Sequence, residues 1–75
     1  MTLHFTIQLN GQPRVLETID DPSMLDAVVV ALGLHPGRVA VELNGEIVPR
    51  SMWLQTPVKT GDRLEIVNFV GGGLS

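Results

Sequence analysis

Apolar and polar residues alternate at every step through Leu3-His4-Phe5-Thr6-Ile7-Gln8-Leu9, placing Leu3, Phe5, Ile7 and Leu9 on one face of a half-buried β-strand. Asn10-Gly11-Gln12-Pro13 then supplies turn chemistry, since Asn and Gly tolerate positive φ. An extended pattern resumes from Arg14 to Ile19 around Val15, so the chain opens on a predicted β-hairpin. Asp20-Asp21-Pro22 breaks the strand, and the period changes. Ser23 is placed to cap a helix starting at Met24, with Asp26 three residues on as its capping-box partner. Leu25, Val28, Val29 and Leu32 fall at i, i+3, i+4 and i+7, one apolar stripe. Val28-Val29-Val30 weaken intrinsic helix propensity there, so packing has to hold the helix. Gly33 at C′ and Pro36 beyond it mark the end.

Val39-Ala40-Val41-Glu42-Leu43 alternates again and leads into Asn44-Gly45 and a short apolar run, Ile47-Val48, that Pro49 stops. Arg50 to Gln55 is too short for a regular helix and predicts a helical turn, with Trp53 covering the edge of the core. Lys59-Thr60-Gly61-Asp62 reads as a turn, and Arg63 to Phe69 as the last strand. The order is hairpin, helix, strand, turn, strand. The first and last strands alternate most cleanly and are expected at the centre of the sheet, against the single helix. That describes an α+β, β-grasp fold: a mixed sheet of four to five strands with one main helix on one face. The domain is expected over residues 1–70, and 71–75 form a flexible glycine-rich tail.

At 75 residues the chain has room for one domain, which buries only roughly 60% of the surface its unfolded form exposes. Hydrophobic residues make up 44% and charged residues 17%, too apolar for intrinsic disorder. The absence of cysteine removes disulfides, thiolate metal sites and thiol nucleophiles. A net charge of −3 with five scattered Lys and Arg residues argues against a nucleic-acid partner. The longest apolar run, Ala27 to Leu32, is far short of the ~20 residues that cross a bilayer, and the start of the chain has no signal-peptide pattern. No membrane partner and a cytoplasmic location are expected.

Catalytic chemistry finds little support. His4 on a polar strand face and His35 in a Gly/Pro-rich loop have no ligand partner at useful spacing. Asp20, Asp21, Glu42, Glu46 and Glu65 read as solvated carboxylates, and Ser23 and Ser51 lack a histidine base. The expectation is a protein that is not an enzyme and holds no metal or permanent cofactor. The tail is different. Gly71-Gly72-Gly73 follows a strand directly and is thin enough to enter a narrow channel in another protein. It is either a frayed terminus or an arm presenting a carboxyl group to an active site elsewhere. Alternation also sets the face beside it: with Leu64 and Ile66 toward the helix, Arg63, Glu65, Val67 and Phe69 point outward. Val67 and Phe69, with Val70 next to them, are the candidate partner-binding residues.

Val41-Glu42-Leu43-Asn44-Gly45-Glu46-Ile47-Val48-Pro49-Arg50, then Trp53, Gly61-Asp62-Arg63-Leu64-Glu65-Ile66-Val67 and the terminal glycines, together resemble the ThiS family of sulfur carriers in thiamine biosynthesis. The chain is more remotely similar to the molybdopterin-synthase sulfur carrier and to ubiquitin. The resemblance implies that a ThiF-like adenylyltransferase joins the Gly73 carboxylate to AMP, using ATP. A persulfide sulfur donor would then displace AMP to leave a glycine thiocarboxylate, and thiazole synthase would take the sulfur. Gly71 and Gly72 would thread the partner active sites. Leu74 and Ser75 follow the glycine at which the family pattern stops, and while Leu74 is attached the Gly73 carbonyl is a peptide amide. Three readings stand: removal by a zinc metalloprotease of isopeptidase type, residues foreign to the natural chain, or a protein that is no carrier in this form. A ubiquitin-like modifier, a molybdopterin or cysteine-synthesis sulfur carrier, and a plain β-grasp interaction module are the alternatives.

Overall fold

A computed structural model describes residues 5–16 and 22–68. Strands β1 (Phe5–Leu9) and β2 (Gln12–Leu16) form the hairpin, in antiparallel register from Phe5 opposite Leu16 to Leu9 opposite Gln12. The two-residue loop between them is Asn10-Gly11, at φ 51° and 84°, the positive pair that a type I′ turn requires. Asn44-Gly45, at φ 51° and 88°, makes the same turn between β4 (Val39–Leu43) and β5 (Glu46–Ile47). The last strand, β7 (Arg63–Asn68), lies in the middle of a five-stranded sheet of order β2-β1-β7-β4-β5. It runs parallel to β1, with Gln8 opposite Arg63, and antiparallel to β4, from Val39 opposite Asn68 to Leu43 opposite Leu64. The sheet is therefore mixed, and its first and last strands are both interior.

One helix, α1 (Leu25–Ala31), packs Leu25, Val28 and Val29 onto one face of the sheet. Its end is a Schellman motif. The Gly33 N–H donates to the Val30 carbonyl at 2.9 Å, and the Leu34 N–H to the Val29 carbonyl at 3.2 Å. Gly33 sits at φ 78°, where a Cβ would be strained.

The start of the helix differs from the sequence expectation. The N-cap is Met24, which makes no side-chain cap hydrogen bond. Ser23, expected to cap, is instead buried in a two-residue strand, β3 (Ser23–Met24), which pairs antiparallel with β6 (Pro57–Val58). The Leu25 N–H donates to the carbonyl of Thr56, the residue just before β6, at 2.8 Å, so a neighbouring backbone segment does for the first turn what a side-chain cap does elsewhere. Pairing of this kind depends on residues more than thirty positions away and leaves no local sequence signal.

A 3₁₀ segment (Arg50–Gln55) brings Trp53 under the helix. Trp53 is 3% exposed, a full core member rather than the edge cover expected, and its Nε1–H donates to the Val48 carbonyl at 2.9 Å. The rest of the core comes from the interior strands β1, β4 and β7, the helix, and Leu16 and Val58 of β2 and β6, with Phe5, Ile7, Leu64 and Val28 fully enclosed. Leu3 lies outside the described residues. No helix among the described residues is long and apolar enough to cross a membrane.

Candidate functional site

β7 precedes the glycine run in sequence and is held from both sides. Two asparagine side chains grip it, one at each Asn-Gly turn. Asn10 accepts the Ile66 N–H at 2.8 Å and donates its amide to the Ile66 carbonyl at 3.2 Å, standing in for the residue that β1 would need to continue the ladder. Its own backbone N–H donates to the Leu64 carbonyl at 2.8 Å. On the other side Asn44 accepts the Arg63 N–H at 2.9 Å, and its backbone N–H donates to the Arg63 carbonyl at 2.8 Å.

The turn that enters β7 is built on a carboxylate. Asp62 is 6% exposed and accepts the Lys59 backbone N–H at 2.9 Å, the Lys59 ammonium at 3.0 Å and the Asn44 amide at 3.2 Å. Burial alone pushes this carboxyl up. The hydrogen bonds from the Lys59 backbone, the Asn44 amide and the Lys59 ammonium, with the lysine charge, outweigh it and hold the group below the ordinary 3.8. Gly61, at φ 92°, donates its N–H to the Thr6 carbonyl at 2.7 Å and ties the same turn to β1. Neither the asparagine grips nor the buried carboxylate were foreseen from sequence. The Gly-Asp and Asn-Gly pairs signalled turns, but not what their side chains would reach.

Along β7, burial alternates as expected: Leu64 and Ile66 face the helix, while Arg63, Glu65 and Val67 are exposed. Val67 is 64% exposed and stands opposite Ala40. Glu65 stands opposite Glu42, and Glu42 opposite Ile47, which is 74% exposed. The face away from the helix thus carries apolar Val67, Ala40 and Ile47 around two carboxylates that face each other. Like charges directly opposite on a sheet are mildly destabilising. Among the described residues neither glutamate has a salt-bridge partner, the Lys59–Asp62 pair being the one such contact. Of the residues singled out from sequence, Val67 takes the outward place expected of it. Phe69, Val70, Gly71, Gly72 and Gly73 lie outside the described residues.

Elsewhere the chemistry is sparse. His35 is exposed, and a Cβ placed at Gly37 would come within 3.6 Å of its Nδ1 and 3.5 Å of Arg50 Nη1. His4 lies outside the described residues. No group of three or more His, Asp and Glu side chains is placed to hold a metal among the described residues. The arrangement defines a class: a β-grasp domain whose central last strand displays an apolar and acidic sheet face.

The comparisons with known proteins narrow the class. The ThiS family profile matches residues 7–73, so the chain belongs to the ThiS family. It resembles the crystal structure of the thiamine biosynthesis protein ThiS from Geobacter metallireducens at 35% identity and a TM-score of 0.74, covering 92% of this chain and 100% of that one. It is 34% identical over 70 residues to an uncharacterized protein of Pyropia yezoensis, covering 93% of this chain and 94% of that one. It is also 43% identical over 65 residues to a thiazole synthase of Paramagnetospirillum magneticum, a match that covers 87% of this chain but 19% of the relative. The chain thus spans about a fifth of the length of the thiazole synthases it matches.

Proposed function

We propose that this protein carries sulfur for formation of the thiazole ring in thiamine biosynthesis, with the Gly73 acyl group as the carrying atom set. The observation that carries the reading is the family match running through β7 to residue 73, on a strand whose exposed face offers Val67 for docking. A free carboxylate is a poor acyl donor, so it must first gain a leaving group. The Gly73 carboxylate attacks the α-phosphorus of ATP on a partner adenylyltransferase, pyrophosphate leaves, and an acyl adenylate forms. The terminal sulfur of a persulfide then attacks the acyl carbon and AMP leaves. A thiol cleaves the resulting acyl disulfide, giving a disulfide and the Gly73 thiocarboxylate.

In this reading the chain supplies an address and an acyl group, and the catalysts are its partners. The match to part of a thiazole synthase supports that enzyme as the sulfur acceptor. The mechanism needs Gly73 with a free carboxyl, hence a chain without Leu74 and Ser75. Pyrophosphate release by a ThiF-like adenylyltransferase, dependent on a chain ending at Gly73 and absent with the full 75 residues, tests the first step. Release that ignores the state of the chain end contradicts it. Isopeptide-linked adducts on lysines, in place of a thiocarboxylate, would assign the activated glycine to protein modification instead.

A further inference from the structure

Both residues that grip β7 belong to Asn-Gly dipeptides. In that sequence the backbone nitrogen of the glycine reaches the asparagine side-chain carbon with no Cβ in the way. The nitrogen attacks Cγ, a five-membered succinimide closes, and the amide nitrogen leaves as ammonia with the proton from the backbone. Water then opens the ring at one carbonyl or the other, giving aspartate or isoaspartate. The net change is one water in and one ammonia out, with no oxidant or reductant.

The folded geometry opposes this reaction. Attack requires Cγ to turn onto the glycine nitrogen, but Asn10 is held on Ile66 by both side-chain atoms, and Asn44 on Arg63 and Asp62. The turn must open before the ring closes. The product cannot be held in the same way. Aspartate at position 10 still accepts the Ile66 N–H, but it turns a second oxygen toward the Ile66 carbonyl, acceptor against acceptor. Aspartate at position 44 puts a carboxylate where an amide now donates to the Asp62 carboxylate at 3.2 Å. Isoaspartate adds a backbone atom to a two-residue turn whose register is fixed by Leu9 opposite Gln12 or Leu43 opposite Glu46.

We propose that Asn10 and Asn44 are spontaneous deamidation sites that the native clamps on β7 hold in check, and that conversion of either one loosens the strand leading to the glycine tail. The test uses the full chain, incubated in warm, mildly alkaline buffer with and without denaturant. Trypsin, cutting after Arg14, Arg38 and Arg50, separates the two sites for mass mapping. Both asparagines are expected to convert in the unfolded chain, and measurably but at least about tenfold more slowly in the folded one, since the reaction waits on local opening. The converted protein and an Asn10→Asp variant are expected to exchange the Ile66 amide several-fold faster than the parent. Asn10→Asp keeps this readout open if Asn44→Asp, facing Asp62, fails to fold. Equal rates with and without denaturant, or no conversion of the folded chain over weeks, would overturn the proposal. So would a converted chain with unchanged Ile66 exchange. None of these measurements depends on the carrier reaction.

Discussion

Val67 on β7 stands directly opposite Ala40 on β4, on the sheet face that the helix does not cover, and is 64% exposed. A β-branched residue so placed contributes little to the core, so its loss is expected to show in docking rather than in folding. Val67→Thr, which keeps the β-branched shape and adds no charge beside Glu65 and Glu42, should change stability by no more than about 0.5 kcal/mol. The same change should weaken binding to the adenylyltransferase by about tenfold or more, the effect of losing about 1.4 kcal/mol at a docking contact. Calorimetric titration alongside a denaturation curve separates the two. Unchanged affinity with unchanged stability removes this face from the recognition surface.

Asp62 makes stability depend on pH in a definite direction. Its folded pKa lies below 3.8, and a group depressed on folding stabilises the native state above its unfolded value, near 3.9. That contribution is lost as pH falls through the folded value. Asp62→Asn should therefore be less stable than the parent at neutral pH, by about 1–3 kcal/mol for donors left poorly matched. The difference should shrink as pH drops below about 4. Urea midpoints measured across that range check it, and a gap that stays constant or widens in acid contradicts it.

Trp53 combines a large buried ring with one polar atom, and the two are separable. Trp53→Phe keeps most of the packing but leaves the Val48 carbonyl without the 2.9 Å hydrogen bond, for an expected cost of about 1–3 kcal/mol. Trp53→Ala should cost about 3–5 kcal/mol. A domain of this length has a total stability of roughly 4–11 kcal/mol, so the alanine variant is expected to be substantially less folded at ambient temperature. Circular dichroism melts of both variants decide whether the ring or its N–H matters more.

Much of this architecture was legible because its signals are local. Phe5 and Ile7 are both fully buried, as the strict alternation around them required, and Gly33 ends the helix where a left-handed residue was expected. Ser23 misled because a serine before an apolar stripe looks the same whether its side chain caps a helix or its backbone joins a strand. The answer lay in Val58, its partner across the small sheet. Trp53 was read too near the surface, since a short segment without periodicity does not reveal which way its one aromatic turns. At the candidate site the outward place of Val67 followed from alternation. The grip of Asn10 on Ile66, across fifty-six positions, depends on the parallel neighbour that the fold supplies. Phe69, Val70 and the glycines Gly71, Gly72 and Gly73 lie beyond the described strand.

The central claim concerns two atoms on one residue. A chain ending at Gly73, given ATP, a ThiF-like adenylyltransferase, a persulfide donor and a thiol, should gain the mass of one sulfur in place of one oxygen. Fragmentation should place that change on the terminal glycine. An unchanged intact mass, with an enzyme that thiolates its own carrier in parallel, would contradict the account.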